Sequence, residues 1–282
     1  YFAAVSLGKL SSKQAIPALL DLLSDNQDQD AVLRHGAVMG LVGAAQNPAQ
    51  LIEAALGATP SARLGVVLAL RRMESPELAA FLTDSEPRVA LEAARAIHDL
   101  PIAPALPALA ALVTRSSKDD AWLRRVLNAN FRLRTPENAQ AIAAFAARGD
   151  APDNMRLEAL AMLKDWENPS PKDRVLNFWR PLEPRSRDVA VAALKPALPG
   201  ILTGSDKLRT AAAQLAADFG MKEVGPVLLG LLEDKSQSGQ TRADALSALA
   251  ALKVPELTSL VDQSLADSDS RVRAAGRNVL IQ

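Results

Sequence analysis

His35 and His98 are the two side chains of this 282-residue chain whose ordinary pKa lies near neutrality, and cysteine is absent. Metal or haem ligation would need further donors close by. Each histidine stands alone on its helical pattern, with no Cys or second His near it. Both are expected to pack or cap at helix ends. The missing cysteines exclude disulfides, thiolate zinc sites, iron–sulfur clusters and a cysteine nucleophile. Serine and aspartate occur, yet the chain carries no nucleophile elbow, glycine-rich phosphate loop or acidic metal loop. The expectation is a chain that is not an enzyme, with no catalytic, cofactor-binding or metal-binding residues.

Arginine is the other candidate, because it recurs in register. An Arg is followed three residues later by an apolar residue and seven later by a large one. This occurs at Arg34/Ala37/Leu41, Arg63/Val66/Leu70, Arg124/Leu127/Phe131, Arg156/Ala159/Leu163, Arg187/Ala190/Leu194, Arg242/Ala245/Leu249 and Arg273/Gly276/Leu280. Ala90 stands in the Arg slot before Ala93 and Ile97, and after Arg209 and Ala212 the last position shifts to Leu215. Nine copies at separations of 22 to 34 residues mark a repeat array. The offsets place the apolar residues on one helical face.

Shorter apolar segments precede these helices, each with a proline near its start: Pro17, Pro107, Pro199 and Pro226. Proline donates no backbone hydrogen bond, so it suits a helix start or bends the first helix over its partner. Polar breaks such as Ser24-Asp25, Thr83-Asp84 and Asp267-Ser268-Asp269 are expected to end one helix and cap the next. With 53 Ala and 44 Leu and few β-branched runs, the chain favours helix throughout. Helix pairs with one apolar stripe each bury it by stacking. The spacing therefore predicts an all-α fold, an α-solenoid of antiparallel helix pairs in a single domain over 1–282. A half repeat at 1–10 is followed by about nine pairs. Asp plus Glu equals Lys plus Arg at 32 each, which argues against a general grip on nucleic acid or anionic lipid. No stretch reaches the ~18 apolar residues of a membrane span.

Two strings carry a family resemblance: Asp269 to Leu280 and Glu86 to Ile97 resemble the second-helix motif of HEAT repeats, and the prolines resemble its first-helix proline. The resemblance implies a right-handed superhelix whose slot arginines pair with an Asp of a neighbouring repeat, with a gap at Ala90. On that basis Arg156→Ala or Arg187→Ala should destabilise, and Arg148, taken as exposed, should not. Phe2 to Gly8 matches the back half of the motif and the chain stops soon after Leu280, so a fragment of a longer protein is expected. Further strings, at Phe2–Leu10, Leu33–Leu41, Leu91–Ile102, Arg124–Leu133 and Met155–Trp166, resemble a HEAT segment of large exported bacterial proteins. Those proteins join a sugar-dehydrogenase-like β-propeller to a c-type haem domain. That likeness implies an exported, periplasmic setting with chemistry outside this segment.

Asn128 and Asn130 interrupt a helical pattern and are expected to bond an irregular neighbouring loop or project into a groove. Trp166 and Trp179 flank a proline-rich irregular stretch and should plug a wider gap there, or stand out as aromatic anchors. Near the C-terminal ends of the second helices lie Arg71, Arg72, Arg95, Arg132, Lys164 and Lys195, with His98 among them. They form a candidate partner-binding stripe for an acidic protein surface. Cations also favour helix C-termini, so dipole compensation alone would place them there. The expected function is a scaffold or docking segment of a larger exported redox protein. The alternative is a free-standing adaptor that binds a peptide or protein on its concave face; in either role the chain is expected to be a monomer with a protein partner, without nucleic-acid binding or membrane insertion.

Overall fold

A computed structural model describes residues 1–281. Among them are sixteen α-helices, five short 3-10 turns and no strand, with one isolated bridge between Lys172 and Trp179. The all-α prediction holds. α1 (Phe2–Lys9) is followed by α2 (Ile16–Asn26) paired with α3 (Ala31–Ala44), and α4 (Pro48–Ala55) with α5 (Pro60–Arg72). A 3-10 stretch, Pro76–Phe81, replaces the first helix before α6 (Pro87–Asp99). Then come α7 (Leu106–Ala110) with α8 (Asp120–Leu133), α9 (Pro136–Ala147) with α10 (Asp153–Lys164), and α11 (Arg187–Leu202) with α12 (Asp206–Asp218). α13 (Gly225–Glu233) with α14 (Gly239–Ala251), and α15 (Leu257–Leu265) with α16 (Ser270–Ile281), complete the order.

The helices form two compact units: residues 1–133 with 174–178, and residues 134–173 with 179 onward. In the first, the second helices stack in chain order as α1, α3, α5, α6 and α8; in the second they stack as α10, α12, α14 and α16. Each unit is thus a solenoid layer of neighbouring pairs. The apolar positions of the Arg-slot pattern form its core: Ala37, Leu41, Val66, Leu70, Ala93, Ile97, Ala159, Leu163, Ala245 and Leu249 are all buried. This is the burial that a one-striped helix needs from its neighbours.

The pairs among the described residues number eight after α1, not nine. Arg187, read as opening a second helix, opens α11, which runs unbroken through Pro196 and Pro199 and packs on the first helix α9. An interior proline removes the bond to the carbonyl four residues earlier. Here those carbonyls belong to Ala192 and Lys195, both exposed, where water can serve them. At Pro17, Pro107 and Pro226 the ring sits in the first turn, as expected. The Ser24-Asp25 break does not end α2, which continues to Asn26; Asp30 caps α3 instead.

Two local devices repeat. Four second helices close with the same reverse turn, in which the amides of Ser75, Ile102, Met221 and Val254 bond back to the carbonyls of Leu70, Ile97, Ala216 and Leu249. The residue before each amide takes positive φ: Glu74, Pro101, Gly220 and Lys253. The second device is close backbone approach. A Cβ on Gly40 would lie 2.6 Å from the Ala4 carbonyl oxygen, and one on Gly43 2.6 Å from that of Gly8. α1 and α3 therefore touch backbone to backbone, at positions where only glycine fits.

Candidate functional site

Three slot arginines point their guanidinium groups at the end of the preceding first helix. Arg63 Nη1 donates to the Ala58 carbonyl at 2.6 Å, Arg156 Nε to Ala146 at 2.9 Å and Arg242 Nε to Leu232 at 3.0 Å. Each of these carbonyls lies at or just past the end of the preceding first helix, where four go unpaired and the dipole is negative. Two slots also carry the neighbouring-repeat aspartate that the family resemblance implies: Arg63 pairs with Asp84 at 2.8 Å, and Arg242 with the buried Asp267. Arg34 pairs with Asp28 of its own repeat, and Arg209 with Asp206 of its own helix.

Four expectations about the ladder need correction. Arg156 bonds a carbonyl and the same-helix Asp153 at 3.2 Å rather than a neighbour's carboxylate. Arg187 is exposed, reaching the Asp218 carbonyl with its guanidinium over the Phe219 ring. Arg148 is not a free control, because it pairs with Asp150 at 2.7 Å and lies over Phe145. Arg124 points to solvent while Arg125, one residue on, makes the cross-repeat pair to Asp99 at 2.8 Å. At Ala90 the slot is empty of arginine, as read. The next repeat fills its role: Arg115 reaches back to the Leu82 carbonyl at 3.1 Å and covers the Trp122 ring.

His98 is fully buried, at 0% exposure. Its Nε2 faces the Asn128 amide nitrogen at 2.9 Å and its Nδ1 faces Asp99 Oδ1 at 2.8 Å. In this arrangement Nε2 accepts and Nδ1 carries the proton. Burial opposes ionisation of Asp99, but the hydrogen bonds from His98 and Arg125 outweigh it and hold the carboxyl below the usual range. Asn130 donates to the Ala110 carbonyl at 2.9 Å, where α7 gives way to a 3-10 turn. The two asparagines thus make structural bonds, Asn128 to the preceding pair and Asn130 to the first helix of its own pair, rather than lining a groove. His35 is exposed and stacks on Tyr1, with ring centroids 6.2 Å apart.

The proposed cation stripe is interleaved with acids. In the first unit Arg71 pairs with Glu92 at 2.6 Å, and Arg95 reaches the same carboxylate at 3.5 Å. Arg72 is exposed beside them, and Arg132 is half-buried at the end of α8. In the second unit Lys164 lies 3.9 Å from Asp218 and Lys195 3.5 Å from Glu223, both pairs solvent-exposed. Such pairs join successive helices weakly, at ~0–1 kcal/mol each. Lys195, expected at the end of a second helix, lies inside the first helix α11, and the stripe cations are partly paired with acids, so the local field is smaller than the cation count suggests. Of the tryptophans, Trp166 is buried, with the Arg185 guanidinium 4.0 Å from its ring centroid. Trp179 is 72% exposed. One plugs the irregular stretch and the other stands in solvent.

Among the described residues, no three or more His, Asp or Glu come together as metal donors, and no helix is long and apolar enough to cross a membrane. Residues 194–281 match the family model for HEAT repeats. No curated protein matches the chain. Human deoxyhypusine hydroxylase, in complex with glycerol, is similar at 17% identity over 98% of both chains, with a TM-score of 0.35. Two engineered proteins are similar as well. One has 18% identity over 99% of this chain and 93% of its own, at a TM-score of 0.33; the other has 22% over 94% and 97%, at 0.24.

Proposed function

We propose that this chain is a non-catalytic protein-interaction module, a spacer or docking segment of a larger exported redox protein. The observation that carries the reading is where its reactive groups go. The only fully buried histidine and the buried slot arginines Arg156 and Arg242 are consumed in holding helix to helix. HEAT repeats, matched over 194–281, are in general protein-binding architecture, which supports a scaffold role. The exported redox setting rests on the narrower sequence resemblance. The full open reading frame tests it: flanking propeller and haem-attachment sequences would support it, and an isolated helical-repeat chain would favour the free-standing adaptor. A flanking domain added in trans should bind more weakly to an Arg72→Glu/Arg95→Glu variant and at moderate salt. Binding indifferent to both would remove the cation stripe as the docking surface.

A further inference from the structure

The second unit contains a groove that no helix fills. It lies between α13 and the turn that joins α14 to α15, with a volume of about 450 Å³. Such a volume is within the ~300–1,000 Å³ usual for ligand pockets. Its walls are apolar: Pro226 and Leu229 from α13, Leu252 and Val254 from the turn, and Leu260 from α15. Leu252 and Leu260 are buried beneath, whereas Pro226, Leu229 and Val254 remain partly or fully open to solvent. The groove arises because α13 packs on α14 while α15 packs on α16, leaving the two first helices apart.

Its rim is charged, and unevenly. Lys222 and Lys253 line it, both exposed and neither in an ion pair among the described residues, against the single acid Glu256. Lys253 sits at φ 52°, in the left-handed region that favours glycine. At the equivalent turn after α12 that position is Gly220. The amides of Val224 and Gly225 at the start of α13 bond back to the carbonyls of Met221 and Lys222, so the two lysines carry the field.

We propose that this groove is a docking site for a short acidic–apolar peptide segment of a partner protein. Large apolar side chains of the peptide would enter between Leu229 and Val254. An Asp or Glu beside them would meet Lys222 and Lys253. The two lysines, set against one acid, select acid over base, which is what fixes the chemistry of the occupant. The site is separate from the cation stripe of the second helices, so either can fail without the other.

The test uses two fluorescein-labelled peptides with the same Leu and Phe anchors, one flanked by Asp and Glu, the other by Lys. They are titrated into the 282-residue chain by anisotropy, with amide chemical shifts mapping the contact. The acidic peptide should bind at least ten-fold more tightly than the basic one, with shifts confined to α13 and the 252–260 turn. Leu229→Asp should weaken it ten-fold or more, and Lys222→Glu several-fold, less so at high salt. Lys253→Gly provides a control against misfolding, because it relieves the left-handed lysine. It should retain or raise the melting temperature and still bind several-fold more weakly. Equal binding of the two peptides, shifts elsewhere on the chain, or no binding at millimolar peptide would each overturn the proposal.

Discussion

Arg242 and Arg187 occupy the same position in the sequence pattern and do different work. Arg242 is buried against Asp267, whose carboxyl is driven well below the usual range, first by the hydrogen bond from Arg242. Arg187 lies in solvent on a first helix. Asp267 also accepts from Lys235 Nζ at 2.6 Å, so truncating Arg242 leaves that carboxylate partly paired and costs less than the ~3–5 kcal/mol of a fully stranded buried charge. Urea unfolding should therefore place Arg242→Ala about 2–3 kcal/mol below the wild type, with Arg187→Ala and the exposed Arg277→Ala within about 1 kcal/mol. Similar midpoints for all three would show that the slot is superficial. The pH dependence follows from Asp84, Asp99 and Asp267, whose folded pKa values are all lowered. A lowered carboxyl contributes stability that is fully present above its unfolded value, near ~3.9, and is lost as pH falls through the folded one. The melting temperature should hold from neutrality to about pH 4 and then drop. The drop should be shallower in Asp99→Asn; an unchanged slope would mean that the Asp99–Arg125 pair contributes nothing.

Helices here are positioned by what they leave out as much as by what they bury. The α1–α3 contact depends on Gly8, Gly40 and Gly43, whose missing side chains let the backbones meet. Gly40→Val would drive a branched side chain into the Ala4 carbonyl and Leu19, and overpacking of this kind costs ~1–3 kcal/mol. The expected result is loss of amide-exchange protection in α1, with α5 and α6 unchanged. Protection retained in α1 would refute the close approach as the source of the docking. The Ala90 slot shows the same economy from the other side. The element lacks its arginine, and Arg115 of the following repeat supplies the missing donor to Leu82.

Across the molecule, contacts run between sequence neighbours, so stability should be distributed along each stack rather than held in one centre. A chain ending after Val254 loses α15 and α16 together with the Asp267 partner of Arg242. It should keep the helical circular dichroism of the remaining pairs, with a lowered and broadened transition. Global loss of helix would show that the last pair is required for all the others.

The sequence by itself determined the all-α class, the stacking of paired helices and the buried stripe, because offsets of three and seven fix a helical face whatever lies beside it. It also located Asn128 and Asn130 as residues with polar business inside a helix, while His98, expected to pack or cap at a helix end and grouped with the cation stripe, is fully buried. It did not determine which arginine turns inward. Arg124 and Arg125 are adjacent and alike, and only the position of Asp99 on the neighbouring helix chose the second. Nor did it distinguish Arg187 as a first-helix residue, since local pattern cannot report whether two prolines break a helix or ride on its wet side. The pairing of the stripe cations with Glu92, Asp218 and Glu223, and the groove beside Leu229, were likewise decided by how neighbouring helices pack. Those distances depend on stacking between repeats, and the side-chain period along one helix carries no record of it.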